Sequence, residues 1–477
     1  MEKDIANSYS KAEKILQKFP LPKNSRELAF TILYEVYTLD AFSDIAINRN
    51  FNLVNLDNLQ KSEAAAFVYG TLSETFALDE LISQFSKTPI KKLEARVLII
   101  LRLALWQLYF SQQKEHAAVS ESVKLCSRFG VSSARGLVNA VLRNTLRSLK
   151  RENYQGQNIY SRSGFSKELY ELFYSILGEE AKVIELSEYF KNNISLNVRI
   201  RKSKSGDKLP LKIIHDSLIE GGFKLEPASF QIDSFHLDSK GKSLHELDLW
   251  KAGYLKAQGE AAMLPAIALN PQAGENILDL CAAPGGKTIQ MADLSNDEAI
   301  ILANDLQEHR VKLIEKELER LNLKSIKTQV ANASDIEFWN KDKEKFDKVL
   351  LDVPCSGLGL IHSKPELRSK FNSQNVKKEL LPLQARILEV AANCLKIGGQ
   401  MLYSTCTLNP EENEKQIENF LRKHKNFNLI SLKENLHAIG KKLEELDPQI
   451  DLESGMLNLW PHKVKSEGFF IALLEKF

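Results

Sequence analysis

DLCAAPGGKT, the sequence of residues 279–288, is a turn of small residues between an apolar run and a helical pattern. Such a turn lets the backbone approach a ligand closely. From about residue 254 onward, short apolar runs alternate with helical patterns, which predicts a doubly wound, mostly parallel sheet. Ligands of such sheets bind beyond the carboxyl ends of the strands, so the turn marks a predicted binding site.

Four strands are predicted around this site, at residues 276–280, 299–304, 348–353 and 400–404. Between the last two strands, a helix that begins at Pro382 has one apolar side and is predicted to end at Gly398 and Gly399. Cys394 lies on that apolar side, so it is assigned to the core.

Three classes of ligand compete for the turn. A dinucleotide site requires GxGxxG, which is absent, while a P-loop requires GxxxxGK[ST] and lacks only the first glycine, where Cys281 lies. The sequence VLLD at 349–352 could also be the strand and Asp that hold magnesium in P-loop enzymes. However, Pro284 removes a backbone N–H and Asp279 repels an anion. S-adenosylmethionine, a sulfonium without phosphate, suits these residues better.

Asp305 follows the second predicted strand, twenty residues after Gly285. An acidic side chain at about this spacing reaches ribose hydroxyls in nucleotide-binding βαβ units. The alternative is that Asp305 is the N-cap of the helix that follows it. Both interpretations remain open at the level of sequence.

The five cysteines lie at long spacings without a CxxC pair, which argues against a disulfide framework and a zinc site. Cys355 and Cys406 follow predicted strands, and they face one cleft if those strands are neighbours. A thiolate that adds to C6 of cytosine makes C5 nucleophilic, so methylation at C5 requires a cysteine. Asp352 could protonate N3 as the adduct forms. Cys126, like Cys394, is assigned to packing.

Three motifs resemble those of the Sun/NOL1/NOP2 family of RNA 5-methylcytosine methyltransferases. They are LDLCAAPGGKT at 278–288, the Pro-Cys motif DVPCSG at 352–357, and YSTCTLNPEEN at 403–413. The resemblance implies a Rossmann-like class I methyltransferase domain that uses S-adenosylmethionine as cofactor. It implies that Cys406 attacks C6 and that Cys355 helps release the product. The residues expected to contact the methyl donor are Cys281, Ala282, Ala283, Pro284, Gly285, Gly286, Lys287, Asp305, Asn332 and Asp352.

The chain departs from the family pattern in three places. Asn332 lies where the family usually has an Asp after the third strand, and its amide oxygen can still accept from an adenine amino group. Asp335 is the alternative if that alignment is shifted. HSKPE at 362–366 replaces Arg-Arg-x-Pro-Asp, and QGEAA at 258–262 lacks the Asp and Ser common there. These changes affect the expected RNA contacts more than catalysis.

Residues 25–149 carry apolar side chains at helical spacing, as in Leu28, Ile32, Leu33, Val36 and Tyr37, which predicts an all-helical domain. The stretch 97–110 is too short and too polar for a membrane span and is predicted to be a buried helix.

The last helix of this region, predicted at 133–149, directs basic side chains away from its apolar stripe, where they could face RNA. They are Arg135, Arg143 and Arg147. GLVNAVLR at 136–143 resembles NusB, and the fusion is similar to the bacterial RsmB type, which modifies small-subunit ribosomal RNA.

The segment between the two domains predicts a small mixed α/β subdomain. It has a half-buried alternating strand at 194–200, a helix at 212–220 stopped by two glycines, and an alternating run at 232–237. The basic cluster RIRKSK at 199–204 is interpreted as a solvated loop or, alternatively, as an RNA contact.

The predicted architecture has three parts: an all-α NusB-like domain at 1–150, an α/β linker subdomain with an RNA contact at 151–252, and the methyltransferase domain at 253–477. A length of 477 residues calls for several domains, and a net charge of +2 means that basic residues are used locally. Residues 1–17 lack the apolar core of a signal peptide. We expect a cytoplasmic monomer that binds ribosomal RNA and neither membrane nor metal.

Two rival hypotheses belong to other functional classes. One is a P-loop nucleotide hydrolase, for which binding of ATP with magnesium is the discriminating observation. The other is a non-catalytic RNA-binding or ribosome-assembly protein that keeps a methyltransferase fold. The presence of both Cys355 and Cys406 argues against the second hypothesis.

Overall fold

The computed structural model describes residues 19–111, 114–150, 154, 156–192, 196–201, 208–231, 233–238 and 242–477. The predictions for residues 1–17, 194–195, 202–204 and 232 lie outside the described residues. The chain forms two compact units, Met1–Asn193 with Ile361–Phe371 and Ile194–Leu360 with Asn372–Phe477. Among the described residues, no helix is both long enough and apolar enough to cross a membrane.

The first unit is helical, as predicted. Leu28, Ile32 and Val36 are fully buried in its core. The first helix begins at Asn24, whose side chain accepts hydrogen bonds from two backbone N–H groups of the first turn. The α-helices are Ser25–Thr38, Ser43–Leu53, Asn58–Ser73, Thr75–Phe85, Ala95–Tyr109, Glu115–Arg128, Arg135–Ser148, Ile159–Ser163, Lys167–Leu177, Glu180–Asn192 and Leu367–Lys370.

Three predictions for this unit agree with the structure. The apolar stretch is the buried helix Ala95–Tyr109, and its Arg102 is tolerated there because Nε lies 2.7 Å from Asp79 Oδ1. The last predicted helix is Arg135–Ser148, preceded by a 3₁₀ turn at Ser132–Ala134, and its three arginines are at least partly exposed. Cys126 is fully buried, in agreement with its assignment to packing.

Residues 361–371 belong to the helical unit although they follow the Pro-Cys motif in sequence. The buried carboxylate of Glu366 accepts hydrogen bonds from the backbone N and Oγ of Ser43, at 2.9 and 2.8 Å. Arg368 is also fully buried and donates to Ser163 O, Ser187 Oγ and Ser187 O. The segment that departs from the family's Arg-Arg-x-Pro-Asp therefore packs as part of this unit.

The second unit contains a small antiparallel sheet, which includes strands near the predicted positions 194–200 and 232–237. Its strands are β1 (Leu196–Ile200), β2 (Lys224–Pro227), β3 (Ser234–Asp238) and β4 (Leu255–Ala257), in the order β2-β3-β1-β4. The predicted helix is Leu211–Glu220, and it ends at Gly221. Strand β4 lies beyond residue 252, and the three-part division of the chain stays a prediction.

The prediction that β1 is half-buried is wrong, because four of its five residues are buried. Arg199 and Arg201 extend from this strand to Asp293, with N–O distances of 2.8 and 2.5 Å. Burial lowers the pKa of Arg199. Both arginines are therefore enclosed ion-pair partners, and for them the solvated-loop and the RNA-contact interpretations are wrong.

The large sheet of the second unit has eight strands. They are β5 Asn276–Asp279, β6 Ile300–Asp305, β7 Ile326–Val330, β8 Phe346–Asp352, β9 Leu395–Thr405, β10 Phe427–Leu429, β11 Met456–Leu459 and β12 Phe469–Lys476. Their order is β10-β12-β9-β8-β5-β6-β7, with β11 paired to β12. The strands from β7 to β9 in this order are parallel, and β12 is antiparallel to its three neighbours. The predicted doubly wound fold is confirmed.

The second unit contains ten further α-helices among its described residues, most of which connect the strands of this sheet. Their bounds are Asp248–Lys251, Leu264–Leu269, Gly286–Leu294, Glu308–Leu321, Ile336–Trp339, Ser373–Asn375, Leu381–Cys394, Glu414–Lys423, Lys433–Leu446 and Pro461–Val464.

Gly398 and Gly399 do not end a helix, contrary to the prediction. The helix ends at Cys394, which is buried as predicted, and the two glycines lie inside β9. A Cβ on Gly399 would lie 2.9 Å from Asp347 O, so the glycine permits a close backbone approach.

Strand β5 lies between β6 and β8, which is where the strand order reverses. In open α/β sheets, this reversal opens a crevice at the carboxyl ends of the strands. The turn at 279–288 directly follows β5, so the fold places it in that crevice.

Candidate active site

The backbone N–H groups of the turn after β5 donate hydrogen bonds to the end of β6. Ala282 N donates to Asn304 O at 2.8 Å, and Ala283 N donates to Asp305 Oδ2 at 3.2 Å. Gly285 caps the following helix with a φ of 93°, a conformation that favours glycine. A cavity of about 190 Å³ opens beside the turn, lined by Ala257, Gln258, Gly259, Ala262, Asp279, Cys281, Ala282, Ala283, Pro284, Gly286, Lys287 and Asp352.

Asp279 is buried at the base of this cavity. Thr288 Oγ1 donates to its Oδ2 at 2.6 Å. Burial raises the pKa of Asp279 to about 7, and this effect outweighs the hydrogen bond from Thr288, which acts in the opposite direction. Burial, together with Asp279 and the other nearby carboxylates, also raises the pKa of Cys281 well above its ordinary value. Cys281 is therefore a neutral thiol at neutral pH.

Asp305 binds the turn and the start of the next connection. It accepts from Ala283 N through Oδ2 and from Gln307 N through Oδ1, at 3.2 and 3.1 Å. The following helix begins after Gln307 and has no side-chain cap, so the N-cap interpretation of Asp305 is wrong. Arg310, which sequence reasoning did not identify, donates to Ala283 O at 2.7 Å. Contact of Asp305 with ribose stays a prediction.

The two candidates for an adenine contact lie outside the cavity lining. Asn332 Oδ1 accepts from the N and Oγ of Ser334, at 3.0 and 2.9 Å. Asp335 caps the short helix Ile336–Trp339 by accepting from Phe338 N at 3.1 Å. The choice between Asn332 and Asp335 stays a prediction.

The two motif cysteines meet at the carboxyl ends of β8 and β9. These strands are neighbouring and parallel, with Asp352 opposite Ser404. The Sγ atoms of Cys355 and Cys406 are 3.4 Å apart, so one thiol can donate to the other. The structure thus brings together the pair that the sequence placed at two strand ends.

The surroundings of the pair favour a proton on Cys355 and a positive charge on Lys287. The hydrogen bond to Cys406, burial, and the charges of Cys406 and Glu412 raise the pKa of Cys355 well above its ordinary value. Burial alone would lower the pKa of Lys287. The carboxylate of Asp352 and a negative charge on Cys406 act in the opposite direction, and the pKa of Lys287 is raised as a result. Cys355 is therefore neutral at neutral pH, and the ammonium of Lys287 is a cation that would stabilise a thiolate at Cys406.

Lys287 links the donor turn to the thiol cleft. Its Nζ lies 2.6 Å from Asp352 Oδ2, while Asp352 Oδ1 accepts from Ser404 Oγ at 3.0 Å. The sequence assigned Lys287 only to the methyl donor, and its pairing with Asp352 was not predicted. Among the residues described, no group of three or more His, Cys, Asp or Glu side chains is placed to hold a metal ion.

Further residues at the site were missed because their partners are distant in sequence. Gln258 lines the cavity and accepts from Arg199 Nε at 2.9 Å. Glu412 is fully buried and accepts from Ser356 N at 2.9 Å. The only sequence signal for Glu412 was its place in the third motif, YSTCTLNPEEN.

Comparison with known proteins gives two family matches. The family described as 16S rRNA methyltransferase RsmB/F matches residues 266–475, and the NusB family matches residues 23–147.

Relatives and a solved structure align over most of the chain. A probable ribosomal RNA small subunit methyltransferase B from Synechocystis sp. is 34% identical over 465 residues, covering 95% of this chain and 99% of the relative. A protein of the same description from Bacillus subtilis is 29% identical and covers 94% and 98%. The crystal structure of PH0851 matches with a TM-score of 0.78 at 24% identity, over 96% of this chain and 100% of that one. At that identity, the structural match shows the fold alone.

Proposed function

The chain belongs to the 16S rRNA methyltransferase RsmB/F family, and we propose that it methylates C5 of a cytosine in small-subunit ribosomal RNA with S-adenosylmethionine as donor. The observation that carries this proposal is the pair of thiols, Cys355 and Cys406, whose Sγ atoms lie 3.4 Å apart at two neighbouring strand ends. Methylation at C5 needs a thiolate nucleophile, whereas methylation of an exocyclic amine does not.

The residues of the cavity fit S-adenosylmethionine by charge. Asp352 is acidic, Asp279 adds a partial negative charge at neutral pH because its pKa is about 7, and Lys287, already paired with Asp352, is the only cation among the described lining residues. A sulfonium is attracted to such a site and phosphates are repelled, which leaves the P-loop hydrolase hypothesis without support. When bound, the cofactor supplies an electrophilic methyl group. The turn at 281–287, with Asp305 and Asn332, is proposed to hold it.

Cys406 is the proposed nucleophile, and Lys287 stabilises its thiolate. The thiolate forms a bond to C6, and the electron pair moves through the ring so that C5 becomes nucleophilic. Asp352, as a carboxylate paired with Lys287, is suited to orient the base by accepting from its amine. Asp352 is also proposed to protonate N3 as the adduct forms, with Lys287 as its paired cation.

Cys355 is proposed to act after methyl transfer. Once C5 has accepted the methyl group, a base removes the C5 proton, the electron pair re-forms the C5–C6 double bond, and the bond between C6 and Cys406 Sγ breaks. The Cys355 thiol, whose Sγ lies 3.4 Å from Cys406 Sγ, can protonate or hydrogen-bond the leaving sulfur. Arg135, Arg143 and Arg147 of the helical unit are proposed to contact RNA phosphates.

Bisulfite sequencing of 16S rRNA from cells with and without the protein tests the proposal. We expect one or more cytosines whose methylation depends on the protein, and the absence of any such cytosine would contradict it. In vitro, Cys355→Ala should accumulate a covalent protein–RNA adduct, whereas Cys406→Ala should form none. Cys126→Ala, in the core of the helical unit, is the control and should turn over without accumulating adduct. Adduct with Cys406→Ala alone would reverse the two roles.

A further inference from the structure

Glu412 is a fully buried carboxylate that is satisfied by neutral donors. Its Oε1 accepts from Ser356 N at 2.9 Å and from Gln384 Nε2 at 3.1 Å. Its Oε2 accepts from Asn409 Nδ2 at 3.0 Å and from Ser356 Oγ. Within the described part of the chain, none of the ion pairs includes Glu412. Burying a carboxylate without a counter-charge is costly, so the contacts it makes are specific.

These contacts join the two loops that carry the thiols. Ser356 follows Cys355 directly in the loop after β8, the Pro-Cys loop, and Glu412 itself lies in the loop after Cys406. Ser356 Oγ also lies 2.7 Å from Thr407 Oγ1, next to Cys406. The Pro-Cys loop is therefore fastened to the loop after β9 through both the backbone amide and the hydroxyl of Ser356.

The backbone of Glu412 is fixed as well. Its N–H donates to Asn409 O at 3.0 Å, and its carbonyl accepts from Tyr403 Oη at 2.7 Å. Tyr403 lies in β9 and is fully buried. Glu412 is thus anchored to the sheet through its backbone while its carboxylate binds the Pro-Cys loop through Ser356.

We infer that Glu412 is a positioning residue that holds Cys355 against Cys406 for the release of the methylated product. The inference rests on the proposed function, because it assumes that Cys355 acts in release. The contacts of Glu412 with Ser356 fix the backbone next to Cys355. The negative charge of Glu412 also contributes to the raised pKa of Cys355, which favours a proton on that sulfur.

Glu412→Gln is the sharpest test, because it preserves shape while replacing one acceptor with a donor. In either amide orientation the nitrogen would face an N–H donor, which is Ser356 N and Gln384 Nε2 at the Oε1 position or Asn409 Nδ2 at the Oε2 position. We expect multiple-turnover methylation to fall by about 10- to 100-fold, which corresponds to the loss of one or two charge-assisted hydrogen bonds. Covalent adduct with RNA should accumulate, as in Cys355→Ala, because attack by Cys406 is retained.

Glu411→Gln is the matched control. Glu411 is the neighbouring carboxylate, 44% exposed and paired with Lys415. This variant should turn over as the wild type does, without trapped adduct. Ser356→Ala removes only one contact of Glu412, so this variant should trap a smaller fraction of adduct. It replaces Glu412→Gln in the assay if Glu412→Gln does not fold.

The adduct assay separates the two possible failures. If Cys355→Ala traps no adduct, the proposed function fails and the inference falls with it. If Cys355→Ala traps adduct, the proposed function stands and Glu412→Gln tests the positioning role alone. That role is overturned if folded Glu412→Gln turns over normally, and also if it loses both adduct and turnover. The positioning role is likewise overturned if Ser356→Ala, used in place of an unfolded Glu412→Gln, behaves like the control.

Discussion

Replacing Arg368 by Met should destabilise the helical unit. The fully buried guanidinium donates three hydrogen bonds, to Ser163 O, Ser187 Oγ and Ser187 O, at 3.0, 3.0 and 2.9 Å. Hydrogen bonds of a charged group contribute about 1.5–3 kcal/mol each. Burial lowers the pKa of Arg368 to about 10, which corresponds to a desolvation cost of about 3 kcal/mol that Met does not incur. Three such hydrogen bonds less this cost leave a loss of about 1.5–6 kcal/mol in the free energy of unfolding, within which we expect about 3 kcal/mol.

Urea titration and thermal unfolding of the full chain measure this loss. For a unit of this size, about 3 kcal/mol corresponds to a fall in Tm of about 6–12 °C. Arg162→Met is the control, because Arg162 is 47% exposed and pairs with a Glu180 that is 50% exposed. Such a surface pair contributes at most about 1 kcal/mol. If Arg368→Met cost no more than Arg162→Met, the buried hydrogen bonds of Arg368 would contribute no net stability.

Two further predictions concern the methyltransferase unit. Burial raises the pKa of Asp279 to about 7, so the folded state binds the proton of Asp279 more tightly than the unfolded chain does. The resulting stability is fully present below about pH 4 and is lost as the pH rises to about 7. Asp279→Asn should therefore remove about 4 kcal/mol of this pH dependence from urea titrations, and an unchanged profile would contradict the assignment. Gly359→Ala should destabilise by about 1–3 kcal/mol in thermal unfolding, since its Cβ would meet Gly468 O at 2.0 Å. Gly136→Ala, with no neighbour within 4 Å, should instead stabilise slightly, and equal effects would contradict the steric argument.

Features that depend on local periodicity were predictable from the sequence. The strands β5, β6, β8 and β9 were located by apolar runs followed by polar residues. The rule that parallel strands share an edge then predicted that Cys355 and Cys406 face one crevice if their strands are neighbours, and β8 and β9 are neighbours. The compartment, the oligomeric state and the individual donor contacts stay predictions.

Features that depend on a distant partner were not predictable from local pattern. From the sequence, Arg199 is interpreted as part of a solvated basic cluster, because its ion-pair partner Asp293 lies 94 positions later in the chain. Gly398 and Gly399 look like a helix stop because the close approach of Asp347 O cannot be read from neighbouring residues. Glu412 looks like an exposed charge of a polar loop, yet its donors come from the Pro-Cys loop and from Gln384.

The membership of residues 361–371 in the helical unit has a consequence for biosynthesis. Arg368 binds Ser163 across 205 positions of the chain, and Glu366 binds Ser43 across 323. At about 5–20 residues per second, a ribosome needs roughly 10–40 s to travel from Ser163 to Arg368. The N-terminal helices therefore cannot form their contacts with residues 361–371 until the ribosome has translated β8 and the segment that follows it. A nascent chain that stops between these points holds an unfinished helical unit, and the carbonyl oxygens that Arg368 would cover remain hydrated.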